Sequence, residues 1–441
     1  MKKRIRLLVT LLFLQSGVVS AQTGDILTVK CNADSTQSYS VCLPSNYSQT
    51  QKYPVLFMFD PAARGKFAAG LYKKAAADYG FIIIASNNSR NGPINVSLNA
   101  ANALFTDAFR KYSIDNSHIY LTGFSGGARI ATTIALQANG IAGVIACGAG
   151  FGQPIPETKL NWTFAGIAGT QDFNYVEMQQ AIQQLQATAS VSNLQTFNGP
   201  HRWPPEDVFY SQLLWSYLLH RKSASDDLLP KYKTLTDELI GKASSVLTKA
   251  SLYRQYLAIT PDAAYSEKLK ELEASKLYQD EVGQAKQLTL KENAYQQKIA
   301  EAFQQIMGRN NTEIKSKGWW KSELASLNKM LLSHKAADSN YIARQKAFIT
   351  ANASESFGNY LNAKRYDTAA ELLTVSEAFE PDNPQVFYRH ALLAASTKDE
   401  DNAIYYLEQA VKHGFANKGQ MRNEASFDFL KGNTKFQMLL N

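Results

Sequence analysis

The stretch LTGFSGGARIA, residues 121–131, sets Gly123, Ser125 and Gly127 in the order G-x-S-x-G. Such a pattern is either a nucleophile on a strained turn or a plain glycine turn between a strand and a helix. HIYLTG before it reads as an apolar strand, and ARIATTIALQA after it as a helix. A strand-to-helix elbow lifts the serine hydroxyl above a sheet, and the residues two before and two after it must then be small. It also puts Ser125 at a helix N-terminus, where the Gly126 N–H can donate to an oxyanion.

A serine hydroxyl is a poor nucleophile without a base. The chain has six histidines. His334, His390 and His413 fall in a helical half, His118 precedes its strand at the opposite sheet edge from Ser125, and His220 ends a long helix. His201 remains, in FNGPHRWPP directly after the last predicted strand, on the same edge as Ser125. The alternative is an ordinary surface-loop histidine. A histidine base needs an acceptor for its other ring nitrogen. Asp172, in IAGTQDFNY past the penultimate strand, is placed for that role, or else it only forms a turn. Glu206 and Asp207 follow His201 too closely, at the start of a helix. The resulting chain order is Ser125, Asp172, His201.

A second oxyanion donor is expected from the loop after YPVLFMFD, which continues PAARG. Pro61 has no N–H, so Ala62 is the candidate. Asp60 either orients that loop or caps the next helix. Phe124 and Trp203 are candidate pocket residues, with core packing the equal alternative for Trp203. Asn88, Ser89 and Arg90 follow a strand on the same edge. Arg90 is carried as a substrate contact, with a polar turn as the other explanation.

These residues need a sheet to position them. ILTVKC and SYSVCL look like a strand pair. Further apolar runs of buried-strand length follow at 53–60, 81–86, 118–123, 142–148, 161–169 and 193–198, with helical segments at 67–79, 97–111, 126–138, 175–188 and about 207–221. Near-continuous apolar strands alternating with helices imply an α/β fold with a mostly parallel sheet covered on both faces.

The chain changes character near residue 222, where glycine and proline thin out and long Ala/Leu/Lys/Glu/Gln stretches begin. The expected organisation is a signal peptide over 1–21, an α/β domain over 22–221, a helical linker region over 222–345 and helical repeats over 346–441. MKKRIRLLVTLLFLQSGVVSAQ has a basic start, a short apolar run and Val19-Ser20-Ala21, so a secreted or periplasmic protein is expected. The apolar run is too short to span a bilayer, and no later stretch approaches a transmembrane segment.

The formal charge is +8. Much of it sits in the signal segment, and no basic stripe is interleaved with aromatics, so nucleic acid is not the expected partner. Cys31 and Cys42 flank a turn between two strands, which leaves a disulfide or two free thiols open. Cys147 sits in an apolar strand. No cysteine or histidine cluster suggests a metal, and no cofactor is implied.

YSVCLPSNYSQTQKYPVLFMFDPAARG, GFSGG, GTQDFNY and GPHRWPP together resemble an α/β-hydrolase. They are closest to secreted esterases of the polyhydroxybutyrate depolymerase/feruloyl esterase, dienelactone hydrolase-like type. The likeness covers about residues 25–221. It implies that Ser125 attacks an acyl carbon, His201 shuttles the proton, Asp172 supports it and water releases the acyl group. YDTAAELLTVSEAFEPDNP (366–384) aligns with EDNAIYYLEQAVKHGFANK (400–418) at an offset of 34, matching Ala369 with Ala403, Leu373 with Leu407 and Ser376 with Ala410. That spacing resembles a tetratricopeptide repeat and implies a protein partner. The expectation is a secreted serine hydrolase of carboxylic esters, its substrate an acylated carbohydrate or polymer, with a helical interaction module. A scaffold protein on a hydrolase fold, or a serine peptidase, is the alternative.

Overall fold

The computed structural model describes residues 24–220, 227–308, 314–331 and 336–441. The signal peptide expected over 1–21 lies outside the described residues. The strands are β1 Leu27–Lys30, β2 Ser38–Cys42, β3 Tyr53–Phe59, β4 Ile82–Ser86, β5 Ile114–Phe124, β6 Ile141–Cys147, β7 Thr163–Gly169 and β8 Ser192–Phe197. They form one sheet in the order β1-β2-β4-β3-β5-β6-β7-β8. β1 pairs antiparallel with β2, and β2 antiparallel with β4; every other pairing is parallel. This is the α/β-hydrolase arrangement. The parallel order follows from connections long enough to carry crossover helices, such as Gly126–Gln137 between β5 and β6.

Apolar residues alternate between two buried clusters, one on each face. Leu56 and Met58 of β3 join one, while Val55, Phe57 and Phe59 join the other. β4 is buried throughout, as a strand covered on both sides must be. β5 is longer than its apolar run suggests. His118 therefore lies inside it rather than before it, paired with Asp115 at 2.7 Å near the edge opposite Ser125.

The β1–β2 register decides the cysteines. Cys31 donates its N–H to Gln37, whereas Cys42 lies one residue past the Leu27↔Val41 pair. They are roughly 15 Å apart along the ribbon at about 3.3 Å per residue. They also enter opposite core clusters. A disulfide needs Cα atoms within about 7 Å, so both are free thiols, as is Cys147.

The core does not stop where the composition changes. Helix Glu206–Leu219 covers one face of the sheet. Leu228, Tyr232, Leu239, Leu252, Tyr253, Tyr256 and Tyr265, from the helices that follow, continue the same cluster. Beyond them run the helix Lys276–Gly308 and the helices Lys317–Leu331 and Ala336–Asn362. Helix Ala336–Asn362 packs against Tyr366–Phe379, and Pro384–Ser396 against Glu400–Lys412. The aligned residues Ala369, Leu373, Ser376, Ala403, Leu407 and Ala410 are all buried. Lys364 and Lys398, 34 positions apart, take left-handed φ values of 58° and 60° at equivalent turns. Another helix, Thr434–Leu440, opens 34 residues after Glu400, a continuation of the period that the sequence reading missed. Among the described residues no helix is long and apolar enough to cross a membrane.

Candidate active site

β5 ends at Phe124, and helix Gly126–Gln137 begins one residue after Ser125. Ser125 sits at φ 53°, ψ −121°, a conformation that costs about 1–3 kcal/mol for a residue with a side chain. Its own N–H donates to the Cys147 carbonyl at 2.8 Å, which ties the elbow to the end of β6. The flanking glycines are required by contact. A Cβ on Gly123 would stand 2.2 Å from the Gly127 backbone, and one on Gly127 would stand 1.9 Å from the Phe59 carbonyl. Gly126 occupies the first helical position, where an N–H has no intrahelical acceptor.

Asp172 and His201 are brought together. Asp172 is fully buried, and both its carboxylate oxygens lie 2.9 Å from His201 Nδ1. A buried carboxylate must be paired, and the Asn174 N–H supplies a further donor at 2.9 Å. The imidazole packs against two aromatic rings, Phe124 at 4.5 Å and Phe173 at 4.2 Å between centroids. Gly148 fills the space beneath: a Cβ there would meet Phe124, Asp172 and His201 together. Asn174 also donates to the Gly148 carbonyl at 2.7 Å. Phe173, Asn174 and Gly148 escaped the sequence reading. Phe173 and Asn174 are adjacent to Asp172, and position after β6 is the only signal that would have found Gly148.

The loop after β3 is organised by Asp60, which is fully buried. It accepts from the Ala62 N–H at 2.9 Å, from Arg64 Nε at 2.9 Å and Nη2 at 3.0 Å, and from the Trp203 indole at 3.0 Å. Burial alone would raise its pKa; the Arg64, Trp203 and Ala62 donors outweigh that and hold the carboxyl below its ordinary range. Two assignments are affected. The Ala62 N–H is engaged by the Asp60 side chain, so it does not stand open as an oxyanion donor. Trp203 is 8% exposed and packs against Phe124 and Tyr72, so it works as core beneath the site.

Arg90 is exposed and bridges to Ala62, while the Asn91 N–H donates to the Pro61 carbonyl at 2.8 Å. The loops after β3 and β4 are therefore joined. The Asn91 carboxamide lies against Gly126, its Oδ1 only 1.8 Å from where a Cβ would be. Among the described residues no cluster of His, Cys, Asp and Glu could hold a metal ion. A cavity of about 480 Å³, lined by residues including Asn116, Ser117, Gly140 and His220, lies at the opposite edge of the sheet and has no part in this constellation.

No family model and no curated protein matches the chain. Solved structures do resemble it. A thermostable esterase is 17% identical, with 40% of this chain and 54% of that one aligned and a TM-score of 0.31. An acylaminoacyl peptidase from Pyrococcus horikoshii is 12% identical, with 48% and 43% aligned and a TM-score of 0.34. The feruloyl esterase module from Clostridium thermocellum, complexed with sinapinate, is 15% identical, with 44% and 88% aligned and a TM-score of 0.36. The chain spans about half the length of the first two of these.

Proposed function

We propose that this chain is an exported serine hydrolase of carboxylic esters, working through Ser125, His201 and Asp172. The observation that carries the reading is the strained Ser125 elbow, on the same sheet edge as a buried Asp172–His201 pair. Asp172 accepts from His201 Nδ1, which fixes the tautomer and leaves Nε2 to take the serine proton. Ser125 Oγ then attacks the acyl carbon. The Gly126 N–H stabilises the oxyanion. His201 returns the proton to the leaving alcohol, and water, activated the same way, releases the acid. Ala62 supplies the second donor only if Asp60 lets go of its N–H; the Asn91 carboxamide beside Gly126 is the competing source. Arg90 would meet the substrate, which is an acylated carbohydrate or polymer by this reading; Phe124, as buried as Trp203, packs against the His201 ring instead.

A fluorophosphonate probe tests the proposal. The wild-type protein should label, and Ser125→Ala and His201→Ala should not. A folded wild-type chain that stays unlabelled would overturn it in favour of a scaffold role. Cleavage of peptides in preference to p-nitrophenyl esters would replace the esterase with a peptidase. Export predicts a mature N-terminus at Gln22, readable by sequencing the protein recovered outside the cytoplasm.

A further inference from the structure

The segment carrying Asp172 is held from two sides. On one side Thr170 donates its N–H to the Phe197 carbonyl at 2.8 Å, and Gln171 to the Gly199 carbonyl at 2.9 Å, so β7's exit is fastened to the His201 loop. On the other side the grip comes from the helical region, more than a hundred residues later in the chain. Arg344, in helix Ala336–Asn362, is 3% exposed, and Glu292, in helix Lys276–Gly308, is 1% exposed. Arg344 Nε lies 2.8 Å from Glu292 Oε1, and Nη2 lies 2.6 Å from Oε2. The remaining arm, Nη1, donates to the Thr170 carbonyl at 2.6 Å. The guanidinium lies 4.5 Å over the Tyr175 ring. Gln345 donates to Glu292 at 2.8 Å, and Gln171 donates to Asn340 at 3.2 Å.

A buried ion pair is weak evidence of net stabilisation, because desolvation offsets most of its attraction. What it does supply is fixed geometry. An arginine fork satisfied by Glu292 on one face has one direction left for its other arm, and that direction is the backbone two residues before Asp172.

We infer that Arg344 and Glu292 form a positioning device: through them the helical region sets the Asp172 segment, and hence His201, for catalysis. The inference rests on the serine hydrolase reading. It makes the helices a working part of the site. Small misplacement of a catalytic group costs up to about 100-fold in rate, so loosening this grip should be visible in turnover.

The test is the full-length double variant Arg344→Met/Glu292→Gln, which removes the donor to Thr170 without leaving a buried charge alone. Asn340→Ala, which cuts only the Gln171 contact, is the milder second variant. Three readouts are compared with wild type: kcat and KM on p-nitrophenyl acetate, the fluorophosphonate labelling rate, and the low-field proton resonance of His201 Nδ1–H. The double variant should lose about 10-fold or more in kcat and labelling rate with KM within about 2-fold, and its His201 resonance should broaden or move upfield. Asn340→Ala should show the same changes at a few-fold level, and it answers alone if the double variant does not fold. A folded variant with wild-type turnover, labelling and resonance overturns the inference. Wild-type protein that does not label overturns the hydrolase reading instead, and the resonance still reports whether the clamp sets the Asp172–His201 pair.

Discussion

At Gly148 the backbone turns at φ 66°, and a Cβ there would stand 2.8 Å from Phe124 Cε2, 3.1 Å from Asp172 Oδ2 and 3.2 Å from His201 Cε1. The first of these distances forces a shift, and the other two require the neighbours to give. Alanine at a left-handed position adds about 1–2 kcal/mol of backbone strain. Gly148→Ala is therefore expected to lower the thermal midpoint by several degrees. It should also slow labelling of the folded fraction by about 10-fold, because the displaced neighbours are the ones that orient the imidazole. Thermal unfolding and labelling on the same samples separate the two effects. An unchanged labelling rate in a destabilised protein would mean that Gly148 is only a turn residue. The strained serine opposite it differs in kind. Its left-handed backbone is held by the Ser125 N–H bond to Cys147 and by the glycines on either side, not by tolerance of the side chain.

Elements at the sheet's C-terminal edge act through loops whose partners lie far away in sequence. This limits what the chain reveals when read in one dimension. The apolar runs at 53–60, 81–86 and 142–148 carry their own signal and became β3, β4 and β6 with ends moved by about a residue. Ser125, Asp172 and His201 were legible as candidates because each follows a strand, and strand ends on one edge converge in a parallel sheet. Asp60 as the organiser of its loop and Trp203 as core were each among the readings the sequence offered, but their hydrogen bond to each other, 143 residues apart, has no such marker. The helix segment over 67–79 broke into Gly65–Leu71 and Lys74–Tyr79, a division its alanine-rich sequence does not announce. A second junction can be tested by pH. Glu377, in helix Tyr366–Phe379, lies 2.6 Å from His390 and is bonded to Lys317. The close His390 ring, opposed by burial and helped by Lys317, lowers its pKa from 4.5 to about 2. A carboxylate depressed on folding contributes stability above its unfolded value, and loses it as pH falls through the folded one. Glu377→Gln should therefore cost about 1–3 kcal/mol at neutral pH. The gap to wild type should close between about pH 4.5 and 2. Thermal midpoints of both proteins across that range check it, and a constant gap would show that the pair adds nothing.

For the whole molecule, the question is where the unit built on the sheet ends. The change in composition near residue 222 argues for an α/β domain that stops there. The packing argues otherwise, since Tyr232, Leu252, Tyr253, Tyr256 and Tyr265 complete one face of the sheet's core. Each large apolar side chain left exposed forfeits about 1.5–3 kcal/mol. Losing these five therefore forfeits about 10 kcal/mol, comparable with the whole stability of a domain. A chain ending at His220 should be insoluble. A chain ending at Ser275 keeps that core but has no Arg344 or Glu292. It should be soluble and cooperative in unfolding, yet label at least about 10-fold more slowly than full-length protein. A chain ending at Pro381 retains the ion pair and helix Tyr366–Phe379 while dropping residues 382–441, the hairpin of Pro384–Ser396 and Glu400–Lys412 with the helical turns after it, whose core of Tyr388, Leu407, Phe427 and Phe436 is largely its own. It should label at close to the full-length rate. Labelling rates and unfolding curves of the three chains place the boundary. Equal rates for the chains ending at Ser275 and Pro381 would return the helices to a role in partner binding alone.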